Sequence, residues 1–321
     1  MRATILTAAV AIILWGGATV ARGTDFATAT GSAECGRWVD SVYNTLSERE
    51  RIAQLFCPVV DPTKGEVSRN AIDRLAGREK VGGLLLRKGS IADYVTMINR
   101  AGTQARVPVM ITLDGEWGLS MRIPGTPQFP YNMALGAITD TRLLEEYGAE
   151  VARQCRLMGI HVDFAPVADV NLNPDNPVIG RRSFGEDPAR VASAVVAYSR
   201  GMERGGVITT AKHFPGHGDT STDSHKTLPV VDHSAEFMRE NDLLPFIQYI
   251  NAGLSGVMVG HLSVPSLDKT MTPASLSHAI TTGLLQEELG FKGLVFTDAL
   301  EMKGAVGGDV HRRFGVLQCG L

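Results

Sequence analysis

The stretch Val207-Ile208-Thr209-Thr210-Ala211-Lys212-His213-Phe214-Pro215-Gly216-His217-Gly218-Asp219-Thr220-Ser221-Thr222-Asp223-Ser224-His225 decides how the chain is read. It opens with apolar and β-branched residues after Gly205-Gly206, the pattern of a short buried strand. A loop rich in Lys, His, Asp, Gly and Ser/Thr follows without a break. A buried strand that empties into such residues is how α/β folds place chemistry at strand carboxyl ends.

The same alternation runs outward in both directions. Ser47 and Glu50 form a capping box before a short helix, and residues 54–60 read as a first strand. A helix over 67–79, a strand over 81–86, a helix capped by Ser90 and Asp93, and a strand over 107–113 follow. Residues 141–158 place Leu144, Tyr147, Val151, Cys155 and Met158 on one helical face, stopped by Gly159. After a strand over 160–166, Asp187-Pro188 opens a helix to Arg204 as N-cap and first residue. Beyond the opening stretch come a helix over 235–251, a strand over 256–259, a helix opened by Thr272-Pro273, and a strand over 294–297.

Apolar strands separated by crossover helices predict an α/β fold with a parallel sheet covered on both faces. A TIM-type (β/α)8 barrel fits first and an open doubly wound sheet second. Polar residues follow nearly every strand (Asp114, Asp169, His213, His261, Asp298), and a barrel gathers all such ends into one mouth. After Asp298 only 23 residues remain, Gly-rich over 301–310, with 314–319 as a short eighth strand. The eighth βα unit is therefore expected to be shortened or missing, as in a C-terminally truncated barrel.

The 321 residues carry 31 basic and 34 acidic side chains, a formal charge of -3. That balance gives no electrostatic reason to expect nucleic acid or an anionic membrane as partner, and it leaves the oligomeric state open. Met1-Arg2, the apolar run 5–20 and small residues near Ala21 have the layout of a secretory signal peptide, with an uncleaved anchor as the alternative. The expected organisation is a signal peptide and leader over 1–30, then a barrel domain over 31–321, exported to the periplasm or beyond and off the membrane once the signal is removed. Glu34 before Cys35 argues against a lipid-modified cysteine, and Cys57 and Cys155, within apolar patterns, read as buried free thiols.

Asp298 stands directly at a strand end, where a carboxylate can serve as a glycosidase nucleophile or as the N-cap of a following helix. In Asp223-Ser224-His225, alternate residues of an extended loop face one way, so the Asp can hold the imidazole that gives and takes a proton. Metal binding by His213, His217, Asp219 and His225 is the alternative, without paired Cys or HExxH-like spacing behind it.

Residues 212–225 resemble the KHFPGHGDTxxDSH signature of glycoside hydrolase family 3 β-N-acetylhexosaminidases at every fixed position. Asp114-Gly115-Glu116, the run from Arg182 to Pro188, and Phe296-Thr297-Asp298-Ala299-Leu300 resemble its other landmarks in the right order. The resemblance implies a retaining enzyme that forms a covalent glycosyl-enzyme on Asp298, with His225 as acid/base and Asp223 as its dyad partner. It implies sugar binding by Asp114, Arg122, Arg182, Lys212 and His213, although Trp117-Gly118-Leu119-Ser120 departs from the Gly-Gly-Arg pattern common before Arg122. The implied substrate is a terminal β-linked N-acetylglucosamine in peptidoglycan fragments or chitin oligosaccharides, as in peptidoglycan turnover, with no cofactor and no metal. The same residues also fit a glycoside phosphorylase, or an inactive truncated remnant that at most binds glycan.

Overall fold

The computed structural model describes residues 31–224 and 227–305. In chain order the elements are α1 (Ala33–Thr45), α2 (Glu48–Ala53), β1 (Val59–Val60), α3 (Glu66–Ile72), β2 (Gly83–Leu86), α4 (Ile91–Gln104) and β3 (Met110–Leu113). They continue with α5 (Asn132–Leu135), α6 (Thr141–Met158), β4 (Val162–Asp163), α7 (Pro188–Arg204), β5 (Ile208–Thr209), β6 (Ala211–Phe214), α8 (Ala235–Glu240), α9 (Leu244–Asn251), β7 (Gly256–Val259) and β8 (Leu294–Thr297). The start signals act through the bonds the sequence promises. Ser90 Oγ accepts from Asp93 N at 3.1 Å while Asp93 Oδ2 accepts from Ser90 N at 3.0 Å, and Ser47 with Glu50 does the same. Asp187 caps α7 through the amides of Ala189 and Arg190.

Every strand pairs in parallel with its neighbour in the chain, β1 to β5 in one sheet and β6 to β8 in another. Only Thr210 separates β5 from β6. Its amide donates to Ala165 O at 2.7 Å, and Lys212 N donates to Pro166 O at 3.1 Å, so residues 208–214 are one strand line joining the two sheets. A doubly wound sheet reverses its strand order at a switch point, and this array does not. Met110, Val162, Phe164, Met258 and Leu294 meet in one cluster with Leu85, Ile208 and Phe296, which brings strands from both halves of the array around a common interior. Phe164 and Phe296 touch edge to face at 5.1 Å between ring centroids, a contact worth about 1 kcal/mol beyond area burial. Sequential parallel order, curled interior and outer helices are the construction of a TIM-type barrel.

On the outer wall, α6 and α7 approach closely because glycines face the partner backbone. A Cβ on Gly201 would lie 1.9 Å from Glu145 O, and one on Gly148 would lie 2.2 Å from Tyr198 O. Either Gly→Ala change would force the helices apart.

Several boundaries differ from the sequence reading. The first strand is reduced to Val59–Val60: Pro58 O still accepts from Leu85 N at 3.0 Å, but Pro58 has no N–H to give, and Gln54 closes α2 instead. The helix expected over 235–251 breaks into α8 and α9, because Pro245 cannot donate to Asn241 O and its ring would collide there. The segments expected as α-helices over 67–79 and after Pro273 finish as π-helical stretches, Asp73–Glu79 and Ala279–Glu288. Cys57 and Cys155 carry free thiols. The expected signal peptide, the short eighth strand over 314–319, and His225 lie outside the described residues.

Candidate active site

The strand ends converge on a cavity of about 1110 Å³ whose lining includes Asp114, Arg122, Arg182, Lys212, His213 and Asp298. Asp114 directly follows β3, Lys212 and His213 sit within β6, and Asp298 directly follows β8, so the sheet fixes their backbones. Six of the eight residues singled out in the sequence thus border one space.

A lattice of charges forms its floor. Lys212 Nζ donates to Asp114 Oδ1 at 3.0 Å and reaches Glu116 Oε1 at 2.9 Å. Arg182 grips Glu116 with Nε at 2.8 Å and Nη2 at 2.6 Å, and Arg122 Nη2 donates to Asp114 Oδ2 at 3.0 Å. The Lys212 and Glu116 side chains are 3% and 1% exposed, so the pairing is nearly dry and barely screened. Burial alone would raise the Glu116 carboxyl; Lys212 and Arg182 more than offset it and hold the group well below the usual carboxylate range. Burial would likewise lower the Lys212 ammonium, which Asp114 and Glu116 instead push up. Arg122, despite the altered sequence before it, borders the same cavity.

His213 is fixed from below by Asp169, whose carboxylate lies 2.7 Å from His213 Nδ1 and accepts from His213 N and His217 N. At Asp298, burial raises the carboxyl but His213, His261, the Ala299 amide and Lys212 together bring it below its ordinary value. Its surroundings, Lys212 and the Ala299 amide among them, thus favour the charged form of the carboxyl. No α-helix begins at Asp298; its Oδ1 accepts from Ala299 N at 2.7 Å, and the next helical turn is Lys303–Ala305. The N-cap alternative is not taken up.

The loop after β6 is held down along its length. Gly218 packs so closely on Val170 that a Cβ would lie 1.6 Å from Val170 O. The buried His217 ring lies 2.6 Å from Thr220 Oγ1 and 3.1 Å from Ser224 Oγ, and Ser224 O accepts from Gly304 N at 3.0 Å. That last bond ties the loop to the segment after Asp298. Asp223 stands beside Ser224, half-buried, with its carbonyl accepting from Thr227 N at 3.1 Å. Of the residues weighed as metal ligands, His213 and His217 are engaged as above and Asp219 is bonded to His233.

Residues to which the sequence reading gave no role complete the floor. Glu116 is the counter-ion shared by Lys212 and Arg182; its signal was a second carboxylate two residues beyond Asp114. Asp163, at the end of β4, accepts from Gly115 N at 2.7 Å and so fixes the turn between Asp114 and Glu116. Burial pushes its carboxyl up to about 7. His261 sits with Nε2 2.9 Å from Ala299 O, beside Asp298.

Comparison with known proteins identifies the family of the chain. The family described as "Glycosyl hydrolase family 3 N terminal domain" matches residues 47–313. "Beta-hexosaminidase A" of Pseudoalteromonas piscicida is 36% identical over 258 residues, covering 73% of this chain and 43% of that protein. A solved glycoside hydrolase family 3 β-N-acetylglucosaminidase from Paenibacillus sp. str. FPU-7 is 35% identical with a TM-score of 0.76, covering 84% of this chain and 51% of its own. The structure titled "Beta-glucoside phosphorylase BglX bound to 2FGlc" is 26% identical with a TM-score of 0.81, over 86% of this chain and 51% of its own. The chain thus spans about half the length of these relatives. With a family match over most of its length and a solved family 3 structure that shares its fold, this chain belongs to the glycosyl hydrolase family 3 N-terminal domain family.

Proposed function

We propose that the protein is a retaining β-N-acetylhexosaminidase that removes terminal β-linked N-acetylglucosamine from peptidoglycan fragments or chitin oligosaccharides. The observation that carries the reading is that Asp298, at the end of β8, lines the same cavity as the charge lattice of Asp114, Lys212, Glu116 and Arg182. In this reading Asp114 accepts from sugar hydroxyls, and Lys212, Arg182, Arg122 and His213 donate to sugar oxygens. Asp298 attacks the anomeric carbon, His225 protonates the leaving oxygen and then deprotonates water, and Asp223 steadies the imidazole.

The test is turnover of an aryl N-acetyl-β-glucosaminide. Wild-type protein should release the aglycone with retained anomeric configuration, and Asp298→Ala should lose at least about 1000-fold in kcat. Near-normal turnover by that variant would sink the nucleophile assignment. A second reading, glycoside phosphorylase, is favoured by the likeness to the phosphorylase structure. Phosphate-dependent release of a sugar 1-phosphate distinguishes it.

Export through an N-terminal signal over 1–30, leaving a domain over 31–321, is part of the same proposal; N-terminal sequencing of the secreted protein checks it. Among the described residues no helix is long and apolar enough to cross a membrane.

A further inference from the structure

Outside the charge lattice, one cluster of titratable groups touches the loop that carries Asp223. His233 Nε2 lies 2.8 Å from Asp219 Oδ2, and His233 Nδ1 lies 3.0 Å from Asp242 Oδ2. Asp219 belongs to the loop. Asp242 stands in the break between α8 and α9 that Pro245 enforces, with a side chain only 1% exposed. It also packs against the loop's start: a Cβ on Gly216 (φ +133°) would lie 2.7 Å from Asp242 Cβ. His233 itself is braced, because Val231 N donates to Ser263 O and Ser263 N to Pro229 O, both at 2.9 Å, which fastens its segment to the chain beyond β7. Phe237 packs against the imidazole at 4.3 Å between centroids, with the rings tilted by 60°. The titratable groups bonded to the ring are the two carboxylates.

We propose that His233, clamped between Asp219 and Asp242, is a positioning residue that fastens the loop from Gly216 to Ser224 and so holds Asp223 for proton transfer. The proposal rests on the glycosidase reading above.

Proton counting gives the clamp a distinctive property. A neutral imidazole has one N–H and one lone pair, so between two ionised carboxylates its lone pair would face a carboxylate oxygen. The closed clamp must hold one further proton, on the imidazole or on Asp242, whose carboxyl burial pushes up to about 6. Loss of that proton as pH rises sets lone pair against lone pair and loosens the loop. The clamp therefore contributes to the alkaline limb of activity, apart from any titration at the cleavage site. By contrast, the His217 ring lies between two hydroxyls, which rotate to suit either tautomer and need no extra proton.

The experiment compares the methyl and 2,4-dinitrophenyl glycosides of N-acetyl-β-glucosamine. If wild-type protein turns over neither, the glycosidase reading fails and the inference with it. With wild-type turnover of both, His233→Ala should lose about tenfold or more in kcat/KM on the methyl glycoside. On the dinitrophenyl glycoside, whose departure needs little protonation, it should lose less than about threefold. Equal losses on both, or none on either, would overturn the proposal. Asp242→Asn supplies a second test, independent of whether His233→Ala folds. The amide can donate to a neutral imidazole, so no extra proton is needed and the alkaline limb on the methyl glycoside should move to higher pH. A limb that superimposes on the wild-type profile would overturn the proton-counting argument.

Discussion

The floor of the cavity and the loop beside it are built by opposite means. On the floor, Lys212 lies in β6, Asp114 and Glu116 follow β3 and Arg182 closes a short helical turn, and each meets at least one opposite charge directly, so the ions are ordered before any ligand arrives. The loop from Gly216 to Ser224 is held instead by two imidazoles, a few amides and tight glycine packing. In the proposed function, recognition would fall on the rigid part and proton handling on the part whose attachments are neutral or titratable. Binding geometry should then be insensitive to pH where loop geometry is not.

The strongest way to break this comparison is to remove the charge at the lattice centre. Glu116→Ala leaves the buried Lys212 and the Arg182 guanidinium without their shared partner, and an uncompensated buried charge costs about 3–5 kcal/mol. Urea unfolding should show a loss of that size, together with a large fall in glycoside binding. A loss below about 1 kcal/mol would mean that water already screens the lattice.

The next effect lies beneath the lattice, at Asp163. Its folded carboxyl is raised to about 7 by burial, against roughly 3.9 in an unfolded chain. A raised acid favours the folded state while protonated, so the stability it lends is fully present below the unfolded value and is lost as pH rises through the folded one. Asn keeps the oxygen that accepts from Gly115 N and does not titrate. Asp163→Asn should therefore gain on wild type by about 2–3 kcal/mol between pH 5 and pH 7. A difference that stays flat with pH would place Asp163 ionised in the fold.

How far this architecture was legible from the sequence follows the same division. Strands that empty into polar residues announced the barrel, and Asp114, Lys212, His213 and Asp298 could be found because strand periodicity fixes where a strand ends. Arg182 and Arg122, on irregular segments, came through family resemblance. Asp163 was hidden because a carboxylate inside an apolar strand reads as part of the strand, and only the fold shows Gly115 lying over it. The clamp was hidden differently: Pro245 was visible within the helix expected over 235–251, but the break that delivers Asp242 to His233 depends on tertiary position. Cavity floors are thus written locally in strand ends, whereas loop attachments are written in pairs far apart in sequence.

The smallest effect tests the loop side, at His217. Burial pushes this imidazole down to about 4, so the ring is neutral at pH 7 and bridges Thr220 and Ser224. A depressed imidazole lends stability that is fully present above its unfolded value near 6.5 and is lost as pH falls through the folded one. His217→Gln cannot reach both hydroxyls with the same geometry, and it has no proton to take up. At pH 7 it should lose about 1 kcal/mol, the net worth of a buried hydrogen bond, with faster amide exchange confined to the loop. Between pH 6.5 and pH 4.5 the gap to wild type should close and then reverse, because wild type loses about 2 kcal/mol there and the variant does not. A gap that widens with acid would mean that the His217 ring carries a proton in the fold, and the loop would then share the ionic character of the floor.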